Sequence, residues 1–228
     1  MRLVVFCVVT LLSLGTATTF AAAPEPTTDE QKALYALGLA INQSLNNFTL
    51  SESEFELVKS GLNDGFFKRP KVDLQAFGVK ISELQQARAA AIAEAEKKSG
   101  AAFLAKAEAE PGSKKTESGA VITTTKEGKG AAPKVSDIVK VHYNGTLIDG
   151  TVFDSTVKRG EPATLRVNEM SKCWVEGIQQ MKVGSKNKLV CPSSLAYRDK
   201  GLPPLIKPGA TLVFEIELLE VLPKQSPQ

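Results

Sequence analysis

Histidine is almost absent from this sequence, and cysteine and tryptophan are scarce. The 228 residues include one histidine, His142, together with one tryptophan and three cysteines. One histidine excludes a metal site built from several histidines of a single chain, and three cysteines exclude a disulfide-dense miniprotein. The motifs of common catalytic sites are also missing, from the GxSxG elbow to the P-loop and HExxH. We therefore expect no metal and no cofactor, and we expect His142 to be exposed and structurally minor.

The net charge of the chain is also small. The 28 basic and 25 acidic residues give a net charge of +3, and 43% of the residues are apolar. This share of apolar residues is too high for a disordered chain, and the charge is too small for a typical nucleic-acid-binding protein with a basic stripe. We therefore expect one or two folded domains and no nucleic-acid partner.

Residues 1–23 have the order of a secretory signal peptide. Arg2 precedes an apolar run over residues 3–12, and small residues then lead to three alanines at 21–23. The run is shorter than the roughly 20 apolar residues of a membrane span. We therefore expect an exported, periplasmic protein, which is soluble after cleavage or anchored by an uncleaved signal.

Two cysteines remain once the signal, with Cys7, is set aside. They are Cys173 and Cys191, and export would place them in an oxidising compartment. A disulfide between them would contribute about 3 kcal/mol in the chain-entropy description. A buried pair of free thiols is the alternative, because the sequence does not give the distance between the two Cα atoms. The pair also leaves open a thiol redox protein, although no CxxC motif is present.

Residues 24–110 have a helical pattern. Capping boxes begin at Thr28 and Ser51, and each precedes apolar residues at helical spacing. A third helix begins near Asp73 and consists mainly of strong helix formers. We assign a helical domain to residues 24–81 and a long linker helix to residues 82–110. The many alanines of the linker helix predict a solvated spacer that buries little surface.

The two short amphipathic helices need a surface that covers their apolar stripes. A second copy of the chain would supply it, which predicts a homodimer formed through residues 28–80. A small three-helix bundle within one chain is the alternative.

The hydrophobic period changes after a short linker at residues 111–117. Apolar and polar residues then alternate in several short segments, and Asp149-Gly150 predicts a hairpin turn. These patterns predict an α+β chain, in which residues 118–222 form a curled antiparallel β-sheet wrapped on one short helix. Residues 223–228 form a tail.

Six blocks in this second half have a specific order and spacing. They are Val141-His142-Tyr143-Asn144-Gly145, Asp149-Gly150-Thr151-Val152-Phe153-Asp154-Ser155, Trp174-Val175-Glu176-Gly177, Met181-Lys182-Val183-Gly184, Leu195-Ala196-Tyr197 and Pro208-Gly209-Ala210-Thr211-Leu212-Val213-Phe214. They closely resemble the FKBP-type peptidyl-prolyl isomerase domain. The helical half resembles, with weaker motifs, the dimerising amino-terminal domain of the exported, macrophage-infectivity-potentiator-like branch. The resemblance implies an FKBP-like fold, rotamase activity, homodimers, and chaperone activity on unfolded or partly folded proline-containing polypeptides.

The resemblance also implies a proline-binding site. The catalytic residues that it implies are Tyr143, Phe153, Asp154, Trp174, Tyr197 and Phe214, and the substrate-binding residues are Leu165, Met170, Ser171 and Ile206. Trp174 would lie under the proline ring, and Asp154 near the substrate carbonyl. Tyr197 and the backbone N–H of Ser171 would donate hydrogen bonds, and Ile206 would belong to the loop at the pocket rim. Plain core packing is the alternative for the aromatic residues.

A site of this kind needs no nucleophile, metal or cofactor, in agreement with the missing motifs. The sequence departs from the family pattern at Met170-Ser171-Lys172-Cys173, at residues 198–201 and at Ala163. These departures affect the pocket rim, and with it the residue preference and the macrolide inhibitor binding that the family implies. A holdase or peptide-binding module on the same fold, without catalysis, is the alternative function.

Overall fold

The computed structural model describes residues 25–222, so the predicted signal peptide and the tail from residue 223 lie outside the described residues. The helical half contains α1 (Asp29–Leu45), α2 (Glu52–Phe66) and α3 (Leu74–Glu108). The chain divides into two units after Ile41, the first holding most of α1 and the second the rest.

The first two helices have the amino-terminal caps that the sequence predicts, and the third begins where the sequence predicts, with Asp73 as its cap. The backbone N–H of Gln31 donates to Thr28 Oγ1 at 3.2 Å, and the Gln31 side chain accepts from the backbone N–H of Thr28 at 3.1 Å. Ser51 and Glu54 form the same reciprocal pair at α2, and Asp73 caps α3. Each cap satisfies backbone N–H groups that have no partner inside the helix.

One antiparallel sheet dominates the second half. Its strands are β1 (Ser113–Lys115), β2 (Val121–Lys126), β3 (Ile138–Leu147), β4 (Val152–Ser155), β5 (Ala163–Arg166), β6 (Lys186–Cys191) and β7 (Leu212–Leu222). The strand order is β1-β2-β6-β7-β3-β4, and β5 also pairs with β3. Two helices interrupt the strands, α4 (Thr156–Arg159) and α5 (Lys172–Gln179). The predicted α+β class is confirmed, with β3 and β4 joined at the Asp149-Gly150 turn.

Strand β1 lies in the segment for which the sequence predicts a linker. Ser113 pairs with Thr123 of β2, and Lys115 with Val121. The Ser113 and Thr123 hydroxyls lie 2.7 Å apart, which adds a side-chain contact to the ladder. A strand of three residues is too short to show an alternating pattern in the sequence. The predicted linker therefore contains an edge strand of the sheet.

Helix α5 packs on the concave face of the sheet and closes the main core. On β7 the side chains of Leu212, Phe214, Ile216 and Leu218 point to this face and are buried. They alternate with residues on the opposite face, as a strand requires. A disulfide joins Cys173 of α5 to Cys191 of β6, with the two Cα atoms 5.8 Å apart. Both cysteines are fully buried, so the bond ties the helix to the sheet inside the core.

Helix α3 covers part of the convex face, which corrects the prediction of a solvated spacer. Ala107 packs in one buried cluster with Val121, Val190 and Val213, and Phe103 and Leu104 cover its edge. The three valines are neighbours in register on β2, β6 and β7. Two further small residues of α3, Ala93 and Gly100, are also buried. Small residues let the helix backbone approach the domain closely, and a search for large apolar residues misses such a face.

The apolar stripes of α1 and α2 remain exposed within one chain. No residue of α1 is buried, and Asp64 is the one buried residue of α2. Leu37 is 58% exposed and Leu62 is 51% exposed. Among residues 25–222, no helix has the length and apolar character needed to cross a membrane.

His142 is more engaged than the sequence predicts. It is half-buried, and its Nδ1 lies 3.1 Å from Thr156 Oγ1. The same hydroxyl accepts from the Tyr143 backbone N–H at 2.7 Å and donates to the Tyr143 carbonyl at 3.0 Å. The chain returns over β3 through α4, which brings Thr156 to this position and partly covers the imidazole.

Candidate functional site

A cavity of about 290 Å³ opens between α5, the concave face of the sheet and the loop after β6. Its walls are mainly aromatic and aliphatic, with polar groups at the edge. The lining residues are Tyr143, Phe153, Asp154, Leu165, Met170, Ser171, Trp174, Ala196, Tyr197, Leu212 and Phe214. Ligand sites in proteins commonly combine an apolar wall with a few placed polar groups in this way.

Four aromatic rings form the wall as a chain of edge-to-face contacts. The ring centroids of Tyr143 and Trp174 are 5.2 Å apart at 88°, and those of Trp174 and Phe214 are 5.1 Å apart at 76°. Phe153 and Phe214 follow at 5.6 Å and 90°. Edge-to-face pairs add about 0.5–1.5 kcal/mol beyond the burial of their surface. The rings therefore hold one another in place, so the wall keeps its shape without a ligand.

Gly145 permits the position of two of these rings. A Cβ atom at this residue would lie 2.8 Å from Cζ of Phe153 and 3.1 Å from Cε1 of Phe214. The distance to Phe153 is shorter than two carbon atoms tolerate, so any side chain here would displace the Phe153 ring. The sequence places Gly145 within a predicted strand, but only the structure shows why no Cβ fits.

The polar edge of the cavity consists of Tyr143, Asp154 and Arg159. The Tyr143 hydroxyl donates to Asp154 Oδ2, and Nη1 of Arg159 donates to Asp154 Oδ1. The second guanidinium nitrogen, Nη2, lies 3.3 Å from the Tyr143 hydroxyl oxygen. Strand β4 supplies the carboxylate and the end of α4 supplies the guanidinium, so the short α4 turn closes the network.

This network sets the ionisation of its two acids. Burial opposes the charge on Asp154, but the hydrogen bond from Tyr143 and the ion pair with Arg159 outweigh it and lower the pKa of the carboxyl. Burial and the Asp154 carboxylate together raise the pKa of the Tyr143 hydroxyl. At neutral pH the cavity edge therefore holds a carboxylate and a neutral phenol that donates to it.

The cavity brings together all but one of the predicted site residues. The exception is Ile206, which is 2% exposed and belongs to the main core. Its backbone pairs with Leu202, so the loop folds back and turns the Ile206 side chain inward. Ile206 thus lies on the loop at the rim, as the resemblance implies, but its side chain is not part of the cavity lining, as a substrate-binding residue would be.

Three residues of the site were not predicted. Ala196 and Leu212 line the cavity beside the predicted residues, and Arg159 pairs with Asp154. Leu212 lies on the same face of β7 as Phe214, so strand alternation contains the signal for it. Arg159 depends on a helical turn of four residues, for which the sequence gives no clear periodicity. Among the described residues, no group of three or more His, Cys, Asp or Glu side chains is placed to hold a metal ion.

Comparison with known families matches both halves of the chain. A family model described as FKBP-type peptidyl-prolyl cis-trans isomerase matches residues 129–219. A second model, described as the domain amino terminal to FKBP-type peptidyl-prolyl isomerase, matches residues 30–121. The two matches together extend over most of the described chain.

Individual relatives match over most of their own length. The FKBP-type peptidyl-prolyl cis-trans isomerase FkpA of Aeromonas hydrophila is 42% identical over 205 residues, which is 84% of this chain and 76% of the relative. The FKBP-type 22 kDa peptidyl-prolyl cis-trans isomerase of Escherichia coli (strain K12) is 40% identical, covering 86% of this chain and 98% of the relative. The crystal structure of FkpA from Escherichia coli aligns with a TM-score of 0.67 at 36% identity, covering 87% of this chain and 99% of that chain.

Proposed function

The chain belongs to the FKBP-type peptidyl-prolyl cis-trans isomerase family and is an enzyme of that class, and we propose that it isomerises X-Pro bonds of exported polypeptides in the aromatic cavity. The observation that supports this site most strongly is the wall of four edge-to-face rings with one ionised carboxylate at its edge. The wall suits the apolar pyrrolidine ring of proline, and the edge suits the polar backbone on either side of it.

The reaction needs stabilisation of a twisted amide rather than bond cleavage. Rotation about the C–N bond has a barrier of roughly 18–20 kcal/mol because it removes the amide resonance. The twisted amide has less charge separation between oxygen and nitrogen than the planar one. An apolar cavity that fits the twisted form therefore binds the transition state more strongly than the ground state and lowers the barrier. No proton has to leave or reach the substrate.

The proposed roles follow the position of each residue in the cavity. Trp174, at the floor, lies under the proline ring, and Phe153 and Phe214 hold its sides. Tyr197 is 42% exposed at the rim, where its hydroxyl is able to reach a substrate carbonyl. Ser171 lies directly before α5, and its backbone N–H offers a second donor. A macrolide inhibitor would occupy the same cavity and compete with the peptide.

The Asp154 carboxylate faces the substrate carbonyl in this proposal. Because Tyr143 and Arg159 already bind its two oxygens, the carboxylate is held in one orientation. A fixed negative charge near the carbonyl carbon opposes the planar, resonant amide, in which the carbonyl oxygen is most negative. It therefore favours the twisted form of the substrate.

Removal of one ring tests the site. Phe153→Ala removes aromatic surface of the kind whose burial contributes about 1.5–3 kcal/mol, so we expect kcat/KM for a proline tetrapeptide to fall about 10- to 100-fold. The measurement is a protease-free isomerisation assay on the full chain. Val135→Ala is the control, because Val135 is an exposed apolar residue outside the cavity lining. Equal rates for the two variants would remove the site assignment.

The helical half supports a homodimer that also acts as a chaperone. Its exposed large apolar residues are concentrated in residues 34–84, far more densely than in the rest of the described chain. Monomeric proteins rarely expose such a surface, and a second copy of the chain would cover part of it. A dimer would carry two cavities together with apolar surface that is able to hold an unfolded client during successive isomerisation steps.

Export is proposed from three observations. The sequence of residues 1–23 has the order of a signal peptide. The Cys173–Cys191 disulfide is typical of proteins that fold in oxidising compartments such as the periplasm. A relative from Legionella longbeachae, 35% identical over 218 residues, is named outer membrane protein MIP. These observations agree on a protein that works outside the cytoplasm.

A further inference from the structure

The loop over residues 197–211, called the rim loop below, begins and ends at the cavity. Tyr197 lines the cavity at its first residue, and Leu212 lines it directly after its last residue. Between them the loop is held by its own backbone bonds. Gly201 N–H donates to the Tyr197 carbonyl at 3.1 Å, and Gly209 N–H donates to the Arg198 carbonyl at 2.9 Å. A displacement of this loop therefore moves both of the cavity residues that flank it.

Helix α3 packs directly on the rim loop at two glycine positions, Gly209 against the backbone of Ala93 and Gly100 against the side chain of Thr211. A Cβ atom at Gly209 would lie 2.5 Å from the Ala93 carbonyl oxygen, so glycine is required at this contact. A Cβ atom at Gly100 would lie 2.1 Å from Thr211 Oγ1. Ala93 is 2% exposed and Thr211 is 3% exposed, so both contacts are closed to water.

Two ion pairs flank these contacts. Lys97 Nζ lies 2.8 Å from Asp199 Oδ1, and Lys207 Nζ lies 3.0 Å from Glu96 Oε1. The neighbouring residues Glu96 and Lys97 of α3 thus carry opposite charges, and each forms an ion pair with an oppositely charged residue of the rim loop. A slip of the helix along the loop would bring like charges together, so the pairs fix the register of the contact.

We propose that α3 is a positioning element of the isomerase, which acts by holding the rim loop and with it Tyr197 and Leu212 at the cavity. Ala93 and Gly100 are the positioning residues. This inference rests on the proposed function, because it assumes that substrate binds in the aromatic cavity. Helix α3 would then do more than join the two halves of the chain. It would also support catalysis within each subunit.

A wedge between helix and loop tests the inference in the full chain. Ala93→Leu places a large side chain at the closed contact, and Ala95→Leu places the same side chain at an exposed position two residues later. For Ala93→Leu we expect kcat/KM for a proline tetrapeptide to fall about 2- to 30-fold, the range of measured couplings between packed sites. For Ala95→Leu we expect the wild-type value.

Two readouts separate positioning from loss of folded protein. Unfolding of a fraction of the enzyme would lower the apparent kcat and leave KM unchanged, whereas a displaced rim would also change KM. Trp174 is the one tryptophan of the chain and lies at the cavity floor, so its fluorescence should change in Ala93→Leu and not in Ala95→Leu. An unchanged KM and unchanged emission in Ala93→Leu would overturn the inference.

A charge reversal decides the question if Ala93→Leu does not fold. Lys97→Glu should lower kcat/KM about 1.5- to 5-fold, in line with an exposed ion pair, and the double variant Lys97→Glu with Asp199→Lys should restore it. Equal values for wild type, single and double variants would overturn the inference. Absence of isomerisation by the wild-type chain would instead overturn the proposed function, so the two failures are distinguishable.

Discussion

At the scale of single residues, the site is one carboxylate held against an aromatic wall. Asp154 gains its orientation from Tyr143 and Arg159, and the wall gains its shape from ring contacts and from the missing Cβ of Gly145. None of these residues would exchange a proton with the substrate. The chemistry therefore depends on shape and fixed charge, and its response to pH follows from the one acid that borders the cavity.

The pKa of Asp154 predicts how activity depends on pH. Because the folded-state pKa lies below the ordinary value of 3.8, the carboxylate and its network persist above that value and are lost only as the pH falls below it. We expect a flat profile of kcat/KM from about pH 8 to about pH 5. Arg159→Leu removes a cation that lowers this pKa, so the acid limb should begin at a higher pH than in the wild type.

The control for this prediction is Arg166→Leu. Arg166 is an exposed arginine of β5 that pairs with Glu169, and it does not line the cavity. Its pH profile should match that of the wild type. If the Arg159→Leu and Arg166→Leu profiles coincide, the network does not control the ionisation of Asp154.

Most cavity residues were predictable because they lie in ordered blocks whose spacing is set by the strands. Arg159 was not, because its contact with Asp154 depends on how the chain turns after β4. Ile206 lies on the loop at the rim, as predicted, but outside the cavity lining, because a loop can turn a side chain inward without any change of sequence pattern. Residues on regular elements were thus predictable, and residues whose position depends on a turn were not.

At the scale of elements, the first half is held together by caps at the helix ends and by contacts between helices. Arg88 of α3 donates to the Phe48 carbonyl at 2.6 Å and pairs with Glu54, which also closes the capping box of α2. One side chain thus connects the start of α2, the turn before it and α3. The caps were predictable from local sequence, whereas the partner of Glu54 lies 34 residues away and was not.

The Glu54 carboxylate should stabilise this arrangement over a defined pH range. The hydrogen bond from Arg88 and those from Ser51 lower the pKa of Glu54 from 4.5 to about 2. Because the folded-state pKa is lowered, its contribution is complete well above pH 4.5 and disappears as the pH falls toward 2. Glu54→Gln should therefore lower the melting midpoint by a few degrees at neutral pH, and the difference from wild type should close in acid.

Glu56→Gln is the matched control, since Glu56 lies on the same helix and forms an exposed ion pair with Lys59 of that helix. We expect its melting midpoint to stay close to that of the wild type at both pH values. A Glu54→Gln variant that melts like Glu56→Gln at neutral pH would show that the ion pair with Arg88 contributes nothing.

At the scale of the whole molecule, the two halves of the chain differ in where their apolar side chains lie. The first half keeps its large apolar side chains on the outside, and the second half buries its own around α5. The heptad-spaced small residues Ala93, Gly100 and Ala107 join α3 to the second half. The sequence predicted the two halves but not this contact, because alanine and glycine in a helix are equally common on solvated faces.

The dimer proposed for the first half predicts a change of mass on a single substitution. Leu37→Glu places a charge on the exposed apolar stripe of α1, where a second chain would have to bury it without a partner. We expect the wild type to sediment as a dimer and Leu37→Glu as a monomer at micromolar concentration. Val135→Glu makes the same change on an exposed apolar residue of the second half and should remain dimeric. A monomeric wild type, or a dimeric Leu37→Glu, would contradict the proposal.

The central claim is that this chain lowers the barrier by binding a twisted amide, without proton transfer. The solvent isotope effect on kcat/KM tests it most directly, with the full wild-type chain and a proline tetrapeptide in H₂O and D₂O under subsaturating conditions. Our account predicts clear acceleration over the uncatalysed reaction, with equal kcat/KM in the two solvents. No acceleration, or a rate clearly lower in D₂O because a proton moves in the transition state, would contradict it.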